Sequence, residues 1–269
     1  MRKFLVGACL CLVSSFACAA GGIVSLGGSV TEIVYALGKE DQLIATDMSS
    51  IYPPEAKELP QVGYYRAISI EGLVSTAPEL ILASENSGPK EVLDRIAELG
   101  IKVQRVSDRS TVESLYERIT QIAEVLDAKQ KGEVLLAEVK AAVEEAMTLS
   151  TKPYRATMVV NRTGTFQAAG GGTSANELMR LAGFENIFAD QQSYKPVSKE
   201  SFLVLQPEVI ITTTGSVETS GGLEQFSQDP VIVNTPAAVA GRIVVLDDLL
   251  ALGMGPRLHQ AIRQLRAIP

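Results

Sequence analysis

Two adjacent tyrosines and an arginine, Tyr64, Tyr65 and Arg66, sit in the stretch QVGYYRAIS of a chain of 269 residues that has seven Tyr and no Trp. A phenol has a pKa of about 10 and is protonated at neutral pH. A ferric ion lowers that pKa by binding the phenolate, and an adjacent arginine stabilises the same anion. Hard phenolate oxygen suits ferric iron, and tyrosine serves as an axial ligand of haem iron. The plain alternative is scaffold: one ring packs, the other faces water, and Arg66 is a solvated charge. Position alone leaves both readings open.

Other chemistries are poorly supplied. The chain has one histidine, His259, and three cysteines, Cys9, Cys11 and Cys18. All three cysteines fall within MRKFLVGACLCLVSSFACAA, which reads as a secretory signal peptide over residues 1–19. Arg2 and Lys3 give its positive end, Phe4 to Val13 an apolar core, and Ala17-Cys18-Ala19 a small-residue cleavage pattern. A processed chain would have no thiol, so no disulfide and no Cys-based metal site. A bacterial periplasm is expected. Zinc needs several N, S or O ligands, and His259 reads as a surface residue beside the apolar stripe of the last helix. No Ser-His-acid or Cys-His set assembles, so an enzyme is not expected. Gly170–Gly172 could present amides to an anion, but a tight turn explains them equally. Without Arg2 and Lys3 the chain carries 22 basic against 31 acidic side chains, net −9, which argues against a nucleic-acid partner. No second long apolar run exists to span a membrane.

The elements that must position the tyrosines follow from the patterning. GIVSLGGSVTEIVYALG reads as strand, glycine turn and helix, with Ser29 as N-cap and Gly38 as stop. Short strands then alternate with helices, which implies α/β architecture with parallel-rich sheets flanked by helices. Thr111 to Leu149 has one glycine, no proline and a helical apolar period, so one connecting helix of about ten turns is predicted, with a bend near Gly132. The strand–helix alternation restarts after Pro153. This gives an N-terminal lobe over 20–110, the long helix over 111–150 and a C-terminal lobe over 151–269.

The restart is a repeat. Tyr65–Ser84 aligns with Tyr194–Thr213 at a constant offset of 129, and Thr31–Gly38 aligns with Asn176–Gly183 at an offset of 145. The first half therefore carries about 16 extra residues between its matched blocks, roughly Asp47 to Tyr64. That insertion delivers the first tyrosine. Two similar lobes joined by a helix place the natural ligand site in the cleft between them.

In order along the chain, GGSVTEIVYALG, LPQVGYYRAISIEGLVSTAPELIL, AAGGGTSANELM, YKPVSKESFLVLQPEVII and LGMGPRL resemble the periplasmic haem-binding proteins of bacterial ABC haem importers, of the HmuT, ShuT and PhuT type. These belong to the long-helix class of substrate-binding proteins. The resemblance spans essentially all of the chain after the leader, and VGY-x-R is its most specific block. It implies that Tyr64 ligates haem iron, that Arg66 steadies the phenolate, and that Tyr65 is a wall or spacer. Tyr194, the repeat partner of Tyr65, is expected to line the cleft. Arg257 in the GPR block is a candidate for a haem propionate or a brace for the last helix. Some relatives carry a histidine where Asn161 or Arg162 stands here and bind a second stacked haem there. One ferric haem is therefore expected, with Arg162 as another propionate candidate. Glu71 and Glu200, at repeat-equivalent helix starts, are implied to dock an ABC permease–ATPase complex in the inner membrane, and the carrier itself is expected to be a monomer. The alternative within the same importer class is a carrier of a ferric siderophore or cobalamin.

Overall fold

The computed structural model describes residues 21–269; the expected signal peptide, its cleavage pattern and the three cysteines lie outside the described residues. Strand and helix alternate from the start: β1 (Ile23–Leu26), α1 (Gly28–Ala36), β2 (Leu43–Thr46), α2 (Ile70–Val74), β3 (Leu80–Ser84), α3 (Lys90–Glu98) and β4 (Lys102–Val106). These strands form an all-parallel sheet in the order β2-β1-β3-β4. Every residue of β1 is buried, as a parallel strand covered on both faces requires.

Two helices follow, α4 (Val112–Val125) and α5 (Lys129–Thr148). The second half contains β5 (Arg155–Asn161), β6 (Phe166–Ala169), α6 (Ser174–Leu181), β7 (Glu185–Asn186), β8 (Tyr194–Pro196), α7 (Lys199–Leu205) and β9 (Val209–Thr213). It ends with α8 (Thr214–Thr219), α9 (Leu223–Gln228), α10 (Pro236–Val239), β10 (Ile243–Leu246), α11 (Asp248–Leu252) and α12 (Leu258–Arg266). Its sheet runs β10-β9-β5-β6-β8, with β7 on β5. Pairing is parallel except at β5–β6 and β6–β8. The fold is α/β in two lobes with parallel-rich sheets flanked by helices. No helix among the described residues is long and apolar enough to cross a membrane.

The repeat is structural as well as sequential. Residues 80–84 of β3 and 209–213 of β9 keep the offset of 129. Ser69 caps α2 by accepting from the Gly72 amide at 3.0 Å, and Ser198 caps α7 by accepting from the Ser201 amide at 3.2 Å.

Two local expectations are corrected. The predicted single helix over 111–149 is broken: α4 ends at Val125, and Asp127 takes a left-handed φ of 48°, which Asp tolerates better than most side chains. The chain then folds back so closely that a Cβ on Gly132 would lie 2.2 Å from the Ala123 Cβ. Gly132 therefore permits helix–helix contact rather than a bend. Ser29 is not the cap of α1; Gly27, at φ 112°, holds that position, and the Ser29 hydroxyl accepts from Arg118 at 2.8 Å.

One apolar cluster passes through both lobes. It joins Ile33 of α1, Ile119 of α4, Val139 of α5, Leu178 of α6 and Ile262 of α12. A packed core of this kind resists deformation, so the lobes are braced as well as tethered.

Candidate functional site

The tyrosine pair is delivered by the loop after β2. Thr46 exchanges backbone bonds with the returning segment (Thr46 N to Pro60 O 2.9 Å, Val62 N to Thr46 O 2.9 Å), and the Met48 amide donates to Gly63 O at 2.9 Å. Gly63 turns the chain at φ 102° with open space where a Cβ would be, so its role is conformational. Asp47 fixes the geometry from below. Fully buried, it accepts from the amides of Gly27 (2.9 Å), Ser49 (2.9 Å) and Tyr65 (3.2 Å) and from the Ser50 hydroxyl (3.0 Å). Sequence reasoning passed over Asp47; the only signal was an acid directly after a short buried strand.

The two phenols differ. Their rings meet edge to face with centroids 5.0 Å apart. Tyr64 is 36% exposed and its hydroxyl makes no hydrogen bond among the described residues. Tyr65 is half-buried, and burial pushes its phenol up to about 12 against the opposing pull of Arg66. The Arg66 Nε donates to the Tyr65 hydroxyl at 2.7 Å, and the guanidinium lies 5.0 Å from the Tyr65 ring centroid. Arg66 is thus hydrogen-bonded to Tyr65 rather than to Tyr64. The reason is reach: Tyr64 turns outward into the cleft, whereas the Tyr65 hydroxyl lies beside the guanidinium. Tyr64 remains within the electrostatic range of Arg66. Burial works against the Arg66 charge, but Tyr65, Tyr64 and Asp108 together outweigh it and raise its pKa.

Across the cleft stand Arg162, just past β5, and Tyr194, the first residue of β8. Together with Tyr64, Tyr65 and Arg66 they line a cavity of about 540 Å³. A contiguous region of about 360 Å³ shares Tyr64, Arg66, Arg162 and Leu252 and extends past Met48, Ile51 and Leu249 to the start of α1. Volumes of this size suit a single organic ligand. Residues from both lobes therefore converge on one cleft, and Tyr194 is a wall residue there.

Arg257 is elsewhere. Its Nε donates to Glu32 Oε1 at 3.0 Å, its guanidinium lies 3.5 Å from the Tyr52 ring centroid, and Asp247 is 3.7 Å away. It does not line the cavity; the propionate expectation for Arg257 is corrected, and the brace remains. Glu32, on α1, is buried, and burial raises its pKa even with Arg257 beside it. Gly255 has no room for a side chain because a Cβ would lie 2.8 Å from Glu32 Oε2.

The remaining candidates sort plainly. Glu71 and Glu200 are exposed in the first turns of α2 and α7, away from the cavity. The Glu200 carboxyl is held below its usual range by its own backbone amide and by Ser198. The amides of Gly170 and Gly171 donate to Ser193 O (2.9 Å) and Gln191 O (2.6 Å), so these two amides are engaged in a packed turn. His259 Nδ1 lies 3.3 Å from Pro256 O, and no metal-binding cluster of His, Cys, Asp and Glu occurs among the described residues.

Comparison with known proteins fits this geometry. The model of the periplasmic binding protein family matches residues 23–250. The periplasmic heme-binding protein RhuT from Roseiflexus sp. RS-1, in apo form, superposes with a TM-score of 0.88 at 35% identity, covering 92% of this chain and 97% of that one. The periplasmic heme-binding protein BhuT in complex with two hemes gives 0.84 at 33% identity, covering 91% and 96%. A vitamin B12-binding protein of Photorhabdus laumondii is 31% identical over 247 residues, 90% of this chain and 86% of that protein.

Proposed function

We propose, from the premise that the chain belongs to the periplasmic binding protein family, that it carries one ferric haem in the cleft between its lobes and hands it to an ABC permease. The role is carriage rather than catalysis. The observation that carries the reading is the free Tyr64 hydroxyl, presented into a two-lobed cavity with Arg66 in electrostatic range. Tyr64 is the iron ligand in this reading because Tyr65 is already occupied by Arg66 and is harder to ionise. Tyr65 and Arg66 form a supporting pair that places positive charge beside the phenolate. The expected secretory leader delivers the chain to the periplasm, where it acts as a monomer. Glu71 and Glu200 offer one exposed acid per lobe to arginines of the permease.

Titration of purified protein with hemin tests the assignment. A saturable ferric high-spin spectrum with tyrosinate charge-transfer bands is expected. Tyr64→Ala should weaken hemin binding by at least about 100-fold, since even residues supporting a metal ligand are worth roughly 10–100-fold. Tyr65→Phe should keep the bands. The reverse pattern would move the ligand to Tyr65. Carriage of cobalamin or a ferric siderophore is the second reading, favoured by the B12-binding relative; saturable binding of cyanocobalamin without hemin binding would establish the corrin case.

A further inference from the structure

The short helices α2 and α7 repeat in exposure as well as in sequence. Leu73 of α2 is buried and the next residue, Val74, is 42% exposed. At the offset of 129, Phe202 of α7 is buried and the next residue, Leu203, is 48% exposed. Glu71 and Glu200 stand one helical turn before Val74 and Leu203, and residues three apart on a helix are neighbours on one face. Each lobe thus presents an acid and an aliphatic side chain together, on a surface that does not line the cavity. The C-terminal lobe adds Val204, 79% exposed, where the N-terminal lobe has Ser75.

Single exposed aliphatic residues are ordinary on any protein surface. Two at the same place in two repeats, each beside an acid, are a pattern. The fold does not call for them: Leu73 and Phe202 already anchor the two helices in the core of their lobes. The acids decide what can cover them. A second copy docked through the same faces would set carboxylate against carboxylate, and an anionic membrane surface would meet the same repulsion. The Glu200 carboxyl is held below its usual range by its own backbone amide and by Ser198, with Lys199 the weakest of these influences. The occupant that fits is a protein surface with a cationic side chain next to an apolar groove.

We propose that the permease seats each lobe on an acid–aliphatic pair, Glu71 with Val74 and Glu200 with Leu203, and that Val204 makes the C-terminal lobe the stronger anchor. This rests on the reading of Glu71 and Glu200 as permease contacts; it adds the apolar half of the contact and the inequality between the lobes. The acids set attraction and register. The aliphatic residues supply affinity as water leaves the interface.

Binding of the full chain to the hemin-importing permease–ATPase of its source bacterium, held in lipid nanodiscs, tests the assignment. Leu203→Ser combined with Val204→Ser should weaken binding about tenfold, and Val74→Ser about threefold, as loss of partly exposed aliphatic area implies. These variants should keep the wild-type hemin titration and the wild-type dependence of docking on salt. Glu200→Gln should flatten that salt dependence. Val134→Ser, at an exposed valine on α5, should dock as wild type. Serine variants at 74, 203 and 204 that dock as wild type, while Glu71→Gln and Glu200→Gln lose affinity, overturn the proposal and leave docking by the acids intact. Capture by nanodiscs of lipid alone, or a dimer that Leu203→Ser dissolves, gives these residues another occupant and also overturns it. Absence of wild-type docking, or docking that neither the glutamine nor the serine variants change, overturns the reading of Glu71 and Glu200 itself.

Discussion

Two sets of arginines divide the molecule. Arg118 and Arg257 lie at the junction of the lobes with acids in contact. Arg118 is fully buried; it pairs with Asp108 and donates to Ser29 Oγ and Met254 O at 2.8 Å each. Arg257 pairs with Glu32. Arg66 and Arg162, by contrast, are exposed to the cleft and have no acid in contact among the described residues. The paired arginines join parts of the chain far apart in sequence: Arg118 reaches Met254, 136 positions away, and Arg257 reaches Glu32, 225 positions away. The difference teaches where binding energy is stored. A cation with its acid already in place has nothing left to offer a ligand, whereas one without is available.

Removing Arg118 should have the largest effect. Arg118→Ala leaves Asp108 with two remaining donors, Ser84 and Asn86, but no opposite charge, and it empties a buried volume between the lobes. A loss of roughly 3–5 kcal/mol is expected, the range for breaking a buried ion pair by deleting one partner. Chemical denaturation measures it. Arg162→Ala should change stability by no more than about 0.5 kcal/mol, as surface substitutions do. If the two variants unfold alike, the division into junction and cleft arginines fails.

Arg257→Ala should cost less, about 2–3 kcal/mol near neutral pH, because Arg257 is not fully buried. It also has a pH signature. Burial already raises the Glu32 pKa, and Arg257 is the chief influence lowering it. Deleting Arg257 lets that pKa rise further. A carboxyl whose folded pKa exceeds its unfolded value contributes stability at low pH that is lost as pH rises through the folded value. The deficit of Arg257→Ala should therefore shrink as Glu32 becomes protonated. Unfolding midpoints at acidic and neutral pH, compared with wild type, check this. A deficit that stays constant on acidification would place the carboxylate in solvent.

The contrast also marks what local sequence could and could not reveal. The strand–helix alternation was legible because it depends on neighbours in sequence, and the repeat because its two copies keep a constant offset. The VGYYR block stood out as two phenols beside a guanidinium, but its residues alone left scaffold and ligand readings open, and only the family resemblance chose between them. The break after Val125 was not: no glycine or proline stands at 126–128, and the stop comes from tertiary contact of Gly132 with Ala123 and a left-handed Asp127. Arg118 gave no signal at all, because its partners become neighbours only on folding. Arg257 was legible as important but not as a junction residue, since nothing local pairs it with Glu32. The hydrogen bond of Arg66 to Tyr65 was not legible, because adjacent residues project differently from a turning backbone.

Arg66 is the intermediate case, and its effect is the smallest and the sharpest. It faces the cleft but already donates to Tyr65. Burial holds the Tyr65 phenol at about 12, and Arg66 is the leading influence opposing that rise. Arg66→Ala should move the Tyr65 ionisation further up. Because the folded pKa lies above the ordinary phenol value of about 10, Tyr65 stabilises the fold below pH 10, and that contribution is lost as pH climbs through the folded midpoint. Tyrosinate absorbance titrations of wild type and Arg66→Ala, each corrected by its Tyr65→Phe counterpart, isolate the single phenol. An upward displacement on deleting Arg66 keeps this guanidinium between the two classes, partly engaged by the protein and partly free. If the Tyr65 midpoint stays in place, Arg66 belongs with Arg162 as an unpaired cation, and its charge is wholly available to the ligand.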